Sequence, residues 1–361
     1  MIALGRKPNL IKPGPYLERD VLDKHVLHLN KQYARPASRR LNRKINAVQH
    51  RDALDALVLS ETKEDTENRA EPSYSGFLSK LNAKLRTQLE VNVSGDNERA
   101  VFEQLRTALL QTDCEDERTS ILKRLPTQDI HRMQPGSEWI GDFISATVIQ
   151  GALDKAGVTI SSGDRFFDYG CSSGSLLRLL AYVYDDVSFV GTDPVRSSID
   201  WARTHLTFDN LEFHHQDQTA PIQALPNESV DIASAVSIFS HHGMRACQQW
   251  LKELHRVLKT GGVAVITTHG IGSIRYYNRI KYKPLDRYKR LALHLLANGY
   301  AFEEVWLQVD DVGNTATEAD WGTTFYSQKK MRQILKSHFE VLFYASRMNQ
   351  GNQDVYVIRK T

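Results

Sequence analysis

Cysteine is scarce in this chain: Cys114, Cys171 and Cys247 are the only three among 361 residues, and none forms a Cys-x-x-Cys pair. So thin a set excludes a disulfide-stapled scaffold and a zinc ribbon, and it points to a reducing, cytoplasmic setting. Long apolar runs are also missing. No stretch approaches the roughly 18 uncharged apolar residues of a membrane span, and the residues after Met1 turn basic before a signal-peptide core builds up. Neither His-x-His nor His-Glu-x-x-His occurs, so no metal site is expected. What remains is ordinary globular composition, 41% hydrophobic and 25% charged, in a chain long enough for about two domains.

Charge is unevenly spread. Residues 1–50 hold 11 Lys/Arg against 3 Asp/Glu, and residues 51–120 hold 9 against 15. The first stretch reads either as a solvated basic helix or as an arm for an anionic partner, a membrane surface included. Helical patterns run over about 16–32 and 41–59, followed by a polar, acidic linker at about 60–74. Leu78, Leu81, Leu85 and Leu89, and then Val101, Phe102, Leu105 and Leu109, recur at helical spacing. Residues 1–130 therefore read as a helical region, able to pack on the rest of the chain or to join two copies as a homodimer.

The rhythm changes after residue 130. Apolar runs at Arg165–Tyr169, Val187–Thr192, Leu211–His215, Val230–Ile238 and Val263–Thr268 alternate with helical patterns, one of them closed by Gly261-Gly262. Such alternation implies βαβ units and a parallel sheet. Pro194 is expected in the first turn of the helix after the second strand. Glu340–Tyr344 and Asp354–Arg359 lie too close together for a helical crossover, so they should be antiparallel.

The turn Asp168-Tyr-Gly170-Cys171-Ser172-Ser-Gly174-Ser175 joins a strand to a helix. Its small residues let backbone and helix N-terminus approach a ligand. The second strand ends at Asp193, about 20 residues on, where a carboxylate can accept both ribose hydroxyls of a nucleoside. Capping the next helix is the blander role for Asp193. The third strand ends in His214-His215-Gln216-Asp217-Gln218, where Asp217 can accept from an exocyclic adenine amine with Gln218 beside it.

With these motifs stand VDIASAVSIFSHHG (230–243) and WLKELHRVLKTGGVAVITTHG (250–270), and together they resemble the class I S-adenosylmethionine-dependent methyltransferases over about residues 135–361. Ser172 replaces the middle glycine of the usual GxGxG. The resemblance implies a doubly wound, Rossmann-like α/β sheet of order 3-2-1-4-5-7-6 with strand 7 antiparallel. The methyltransferase domain would span 131–361, with an acceptor-side insertion at about 271–325. S-adenosylmethionine would lie against Asp168, Gly170, Cys171, Ser172, Gly174, Asp193, Pro194, Asp217, Gln218 and Ser237. The narrower variant of the motifs is similar to methyltransferases of polysaccharide and glycan biosynthesis, which implies O-methylation of a sugar or sugar-derived acceptor.

A hydroxyl acceptor needs a base. His241 follows strand four and is expected to fill that role, with His269 as the alternate and Asp354 as orienter or acceptor ligand. His242, Arg275, Tyr276, Trp321, Arg347 and Gln353 are expected on the acceptor side. Residues 275–290 carry seven Lys/Arg and four Tyr, which suits an anionic acceptor as well as a solvated helix. Nucleic acid is the competing acceptor and a small natural product another. Against nucleic acid, the Asn/Asp-Pro-Pro-aromatic loop and the Pro-Cys nucleophile of nucleic-acid methyltransferases are both missing.

Overall fold

The computed structural model describes residues 69–70, 74–85, 107, 116–127, 130, 138–217, 220–280, 285–304, 307–308, 315–316 and 320–361. The basic arm, the helical patterns before residue 60, most of the acidic linker, Leu89 and the apolar set from Val101 to Leu109 lie outside them. Helices α1 (Tyr74–Leu85), α2 (Glu117–Leu122) and α3 (Glu138–Lys155) precede the sheet. The sheet is then built from β1 (Arg165–Tyr169), α4 (Ser175–Val183), β2 (Ser188–Asp193), α5 (Arg196–His205), β3 (Leu211–His215), β4 (Val230–Ala235), α6 (Met244–Val257) and β5 (Leu258–His269). After β5 come α7 (Ile271–Ile280), α8 (Leu285–Asn298), β6 (Tyr300–Glu304), β7 (Leu307–Gln308), β8 (Thr315–Ala316), β9 (Gly322–Tyr326), α9 (Gln328–Leu335), β10 (Phe339–Asn349) and β11 (Gln353–Lys360).

The sheet runs β10-β11-β5-β4-β1-β2-β3, with β11 antiparallel to both of its neighbours. Counted along the chain without the insertion, this is the expected order 3-2-1-4-5-7-6. Near-continuous apolar strands are buried on both faces, as parallel strands must be. On one face Phe166, Phe189, Ile232 and Val265 join Phe77, Leu81, Phe143 and Leu180 of α1, α3 and α4. On the other, Phe167, Val190, Ala233 and Ile266 pack on Trp250, Leu251 and Leu254 of α6. Among the described residues no helix is long and apolar enough to cross a membrane.

Four expectations are corrected. β5 begins at Leu258, directly after α6, and the Gly261-Gly262 pair sits inside it rather than between helix and strand. Gly261 takes φ +77°, and a side chain at Gly262 would stand 2.9 Å from the Lys259 carbonyl, so the pair makes an irregularity in the pairing with β4. β4 stops at Ala235 because Ser237 turns to φ 61°, which no strand residue holds. Helix α5 starts at Arg196 after Val195, so Pro194 stands ahead of the helix. The insertion also holds a hairpin the sequence did not suggest: β6 pairs with β9, and β9 attaches to the end of β5 through His269 and Phe325.

Arg178, on the helix after the glycine-rich turn, is fully buried and paired with Asp142 of α3, and its other Nη donates to the Arg124 carbonyl at 2.7 Å. Removing one member of such a pair strands the other charge in the core. Asp142→Ala should therefore lower the unfolding free energy by about 3–5 kcal/mol. Denaturant titration measures this, and a loss below about 1 kcal/mol would show the pair to be dispensable.

Candidate functional site

The carboxyl ends of β1, β2, β4 and β5 converge on the glycine-rich turn. Gly170 (φ +79°), Ser172 (φ 51°) and Gly174 (φ +79°) are all left-handed. A Cβ at Gly170 would strike Ile238, and one at Gly174 would strike Phe213. Bare backbone is thus required at both points. Serine at 172 tolerates its conformation because its N–H is held: it donates to the Asp193 carboxylate at 2.8 Å. The other Asp193 oxygen accepts from the Val195 N–H, also at 2.8 Å. Asp193 therefore does serve the approach to the next helix, and at the same time it ties β2 to the turn after β1. Cys171 is buried, its Sγ 3.6 Å from the Ser172 carbonyl and against Gly191.

Asp168 is buried and accepts from the Ser234 hydroxyl at 2.6 Å. Burial pushes its pKa up to about 7, opposed by the Ser234 bond and helped by the Asp193 charge. Burial likewise raises Asp193 to about 6, opposed by its two backbone donors. Asp217 behaves differently. Its side chain is 83% exposed, with the His215 ring 3.8 Å away, while its neighbour Gln216 is buried and bonded to the carbonyls of Asp217 and Pro221. Pro194 is exposed. Gln218 lies outside the described residues.

On the β4–β5 side, His241 stacks on Trp321 with ring centroids 5.2 Å apart and meets His269 edge-on at 6.2 Å. Its Nδ1 donates to the Gly322 carbonyl at 2.9 Å. Burial lowers its pKa below the ordinary histidine value. His269 stacks in turn on Phe325. His242 points the other way, into the core: it is 3% exposed, bonded to the Tyr169 hydroxyl at 3.3 Å, packed by Trp250 and Phe239, and pushed by burial to about 3.

Asp354 does not take the orienting bond expected of it. It pairs across the ladder with Thr268 whereas Gln353 pairs with His269, so Asp354 stands on the opposite face of the sheet from both. It accepts from the Tyr344 hydroxyl at 3.1 Å and the Arg347 N–H at 3.0 Å, and lines a cavity of about 390 Å³ with Ile271, Leu295 and Tyr326. Arg347 folds over the Gly351 carbonyl at 3.0 Å and against Gly272. Arg275 is fully buried on α7 and Tyr276 half-buried beside it; of the basic run beyond, only the side chain of Arg290 is described. Gln353 joins Ser237, Thr267 and Asn349 in a buried hydrogen-bond network. Sequence reading passed over Thr267, Gly322 and Phe325. Only Thr267 left a signal, as a hydroxyl following the apolar run Val263–Ile266.

The turn fits a nucleoside cofactor carrying a cation. Its cradle is closed to side chains, Asp193 retains lone pairs for hydroxyls, and Asp168 is a buried acid that a nearby positive charge would ionise. When bound, S-adenosylmethionine supplies an already activated methyl group. Both carboxyl groups bind protons more tightly in the folded chain than the ordinary 3.8, and a cationic ligand needs them ionised. Cofactor binding should therefore release protons and weaken as pH falls from about 8 through 7 to 6, and Asp168→Asn should flatten that slope. Asp193→Ala should weaken binding at least about tenfold, through loss of charge-assisted bonds, with the fold intact. Calorimetry across pH checks both statements, and an unchanged dissociation constant would remove Asp193 from the site.

Residues 160–326 match a family model described as a methyltransferase domain. Among solved structures, the chain is similar to an S-adenosylmethionine-dependent methyltransferase of Aquifex aeolicus (15% identity, 66% of this chain and 100% of that one, TM-score 0.42). It is also similar to one of Mesorhizobium loti (15%, 60% and 100%, TM-score 0.41). A third likeness is to the complex of the Haloferax volcanii Trm112 methyltransferase activator with a methyltransferase (19%, 58% and 88%, TM-score 0.33). The match to a methyltransferase domain thus falls on residues 160–326, which hold β1 to β5 of the sheet of order 3-2-1-4-5-7-6 and the glycine-rich turn.

Proposed function

We propose that the chain methylates a hydroxyl group, on a sugar or sugar-derived acceptor, with His241 as general base. One observation carries the reading: Nδ1 of His241 donates to the Gly322 carbonyl at 2.9 Å, which leaves Nε2 as the proton-accepting nitrogen. A backbone carbonyl here holds the ring in one tautomer, the task first given to Asp354. Burial keeps the imidazole uncharged near neutral pH, so it is ready to accept a proton. The methyl group is activated by the cofactor itself, and what the protein adds is alignment, exclusion of water and removal of the acceptor proton.

Trp321, half-buried against His241, presents an aromatic surface suited to an apolar ring face such as a sugar presents, with the buried Phe325 backing His269 behind it. His269, edge-on to His241, is the second candidate base. The sugar class rests on the motif resemblance together with this aromatic wall. The anionic character proposed for the acceptor rests on the basic run from Arg275 to Arg290.

Incubation with labelled S-adenosylmethionine and panels of sugars, nucleotide sugars and RNA, followed by product mass analysis, tests the acceptor class; label in RNA alone would overturn it. His241→Ala should lower turnover at least about a hundredfold while cofactor affinity stays unchanged. Because a lowered pKa keeps His241 neutral down past the ordinary 6.5, turnover at saturating cofactor should be flat from there to pH 8 and fall only in more acid solution. Near-normal turnover in His241→Ala would pass the role to His269, whose alanine variant is the next measurement.

A further inference from the structure

The turn after β4 closes on the glycine-rich turn, because Ile238 occupies the space a side chain at Gly170 would need. The residue before it, Ser237, has φ 61°, a conformation that is uncommon for any residue but glycine. Something must hold it there. Its N–H donates to Thr267 Oγ1 at 2.7 Å. Thr267 in turn donates to Gln353 Oε1 at 2.8 Å. The Gln353 amide lies against the Ser237 hydroxyl, Nε2 at 2.9 Å and Oε1 at 3.1 Å. Asn349, across the β10–β11 hairpin, donates to the same Oε1 at 2.8 Å and so fixes which way the amide faces. Thr267, Asn349 and Gln353 are all buried, so water does not compete for these bonds.

We propose that Gln353 and Thr267 are positioning residues for the cofactor: they lock Ser237 in its left-handed conformation, and with it the Ser237–Ile238 turn against the glycine-rich turn. The proposal rests on the cofactor lying at the glycine-rich turn. It gives Gln353 a part different from direct contact with the acceptor. Two residues on the far strands thereby set the shape of a pocket built on β1, β2 and β4.

The test is calorimetric binding of S-adenosylmethionine and S-adenosylhomocysteine. Thr267→Val keeps the shape and removes both bonds, and should weaken binding about three- to tenfold. Thr267→Ser keeps the hydroxyl and should bind within about twofold of the natural protein. Gln353→Ala should match the valine variant. Ser237→Gly supplies a residue for which φ > 0 carries no penalty, so on that background Gln353→Ala should lose less than about twofold, a coupling that a merely structural role would not produce. Natural affinity in both Thr267→Val and Gln353→Ala would overturn the proposal. So would an equal loss on the glycine background, or a serine variant as weak as the valine one. If Gln353→Ala fails to give a cooperative melt, the valine–serine pair decides. Should Asp193→Ala also bind normally, the placement of the cofactor falls as well; should Asp193→Ala bind weakly while these variants do not, only the lock falls.

Discussion

The carboxylate of Asp193 is the point on which the site hangs. Its two oxygens take backbone N–H groups from Ser172 and Val195, and so join the turn after β1 to the segment that opens α5. A carboxylate in the core is costly unless it is hydrogen-bonded. Here one bond comes from Ser172, whose backbone is bent into left-handed geometry, and the other from the extended Val195, so the acid and the strained turn each make the other tolerable. The elevated pKa of its neighbour Asp168 belongs to the same arrangement: two acids held close in a dry place, awaiting positive charge.

The acceptor side is organised on another principle. Around His241 and His269 the partners are rings and main-chain carbonyls, and among the described residues no group of three His, Cys, Asp or Glu side chains could hold a metal. The hairpin of β6 and β9 makes this possible. It brings Gly322, Trp321 and Phe325 over the ends of β4 and β5, with the Gly322 and Thr324 N–H groups donating to the carbonyls of His241 and Ser240. An insertion between the fifth strand and the last hairpin of the sheet thus provides one wall of the proposed acceptor site.

Strand β1 and the glycine-rich turn were legible because their signals are local: an unbroken apolar run, small residues at fixed spacing, and an acid about 20 residues later. His241 was legible by position, since it follows a strand end on the ligand edge of an open sheet. Its orienting partner was not, because a backbone carbonyl leaves no mark in a sequence, and the carboxylate expected there, Asp354, lies across the sheet. The Ser237 network was hidden for a related reason. Ser237, Thr267 and Gln353 stand 30 to 116 residues apart, and their meeting depends on a register that only the folded ladder defines. Strand β5 was read too short because Gly-Gly usually ends an element, whereas here it bends one.

The antiparallel strand β11 lies between β5 and β10, inside the sheet, although it is later in the chain than every strand it supports. Until residues 353–360 are in place, β5 has an open edge and Thr267 lacks its Gln353 partner. The sheet is therefore closed by the strand that comes last in its own order along the chain. During synthesis the βα units from β1 to β5 would stand ready with an unfilled slot, and the pocket would gain its final contour only as that strand slid in, a long-range step of the kind that makes sheets slow to form.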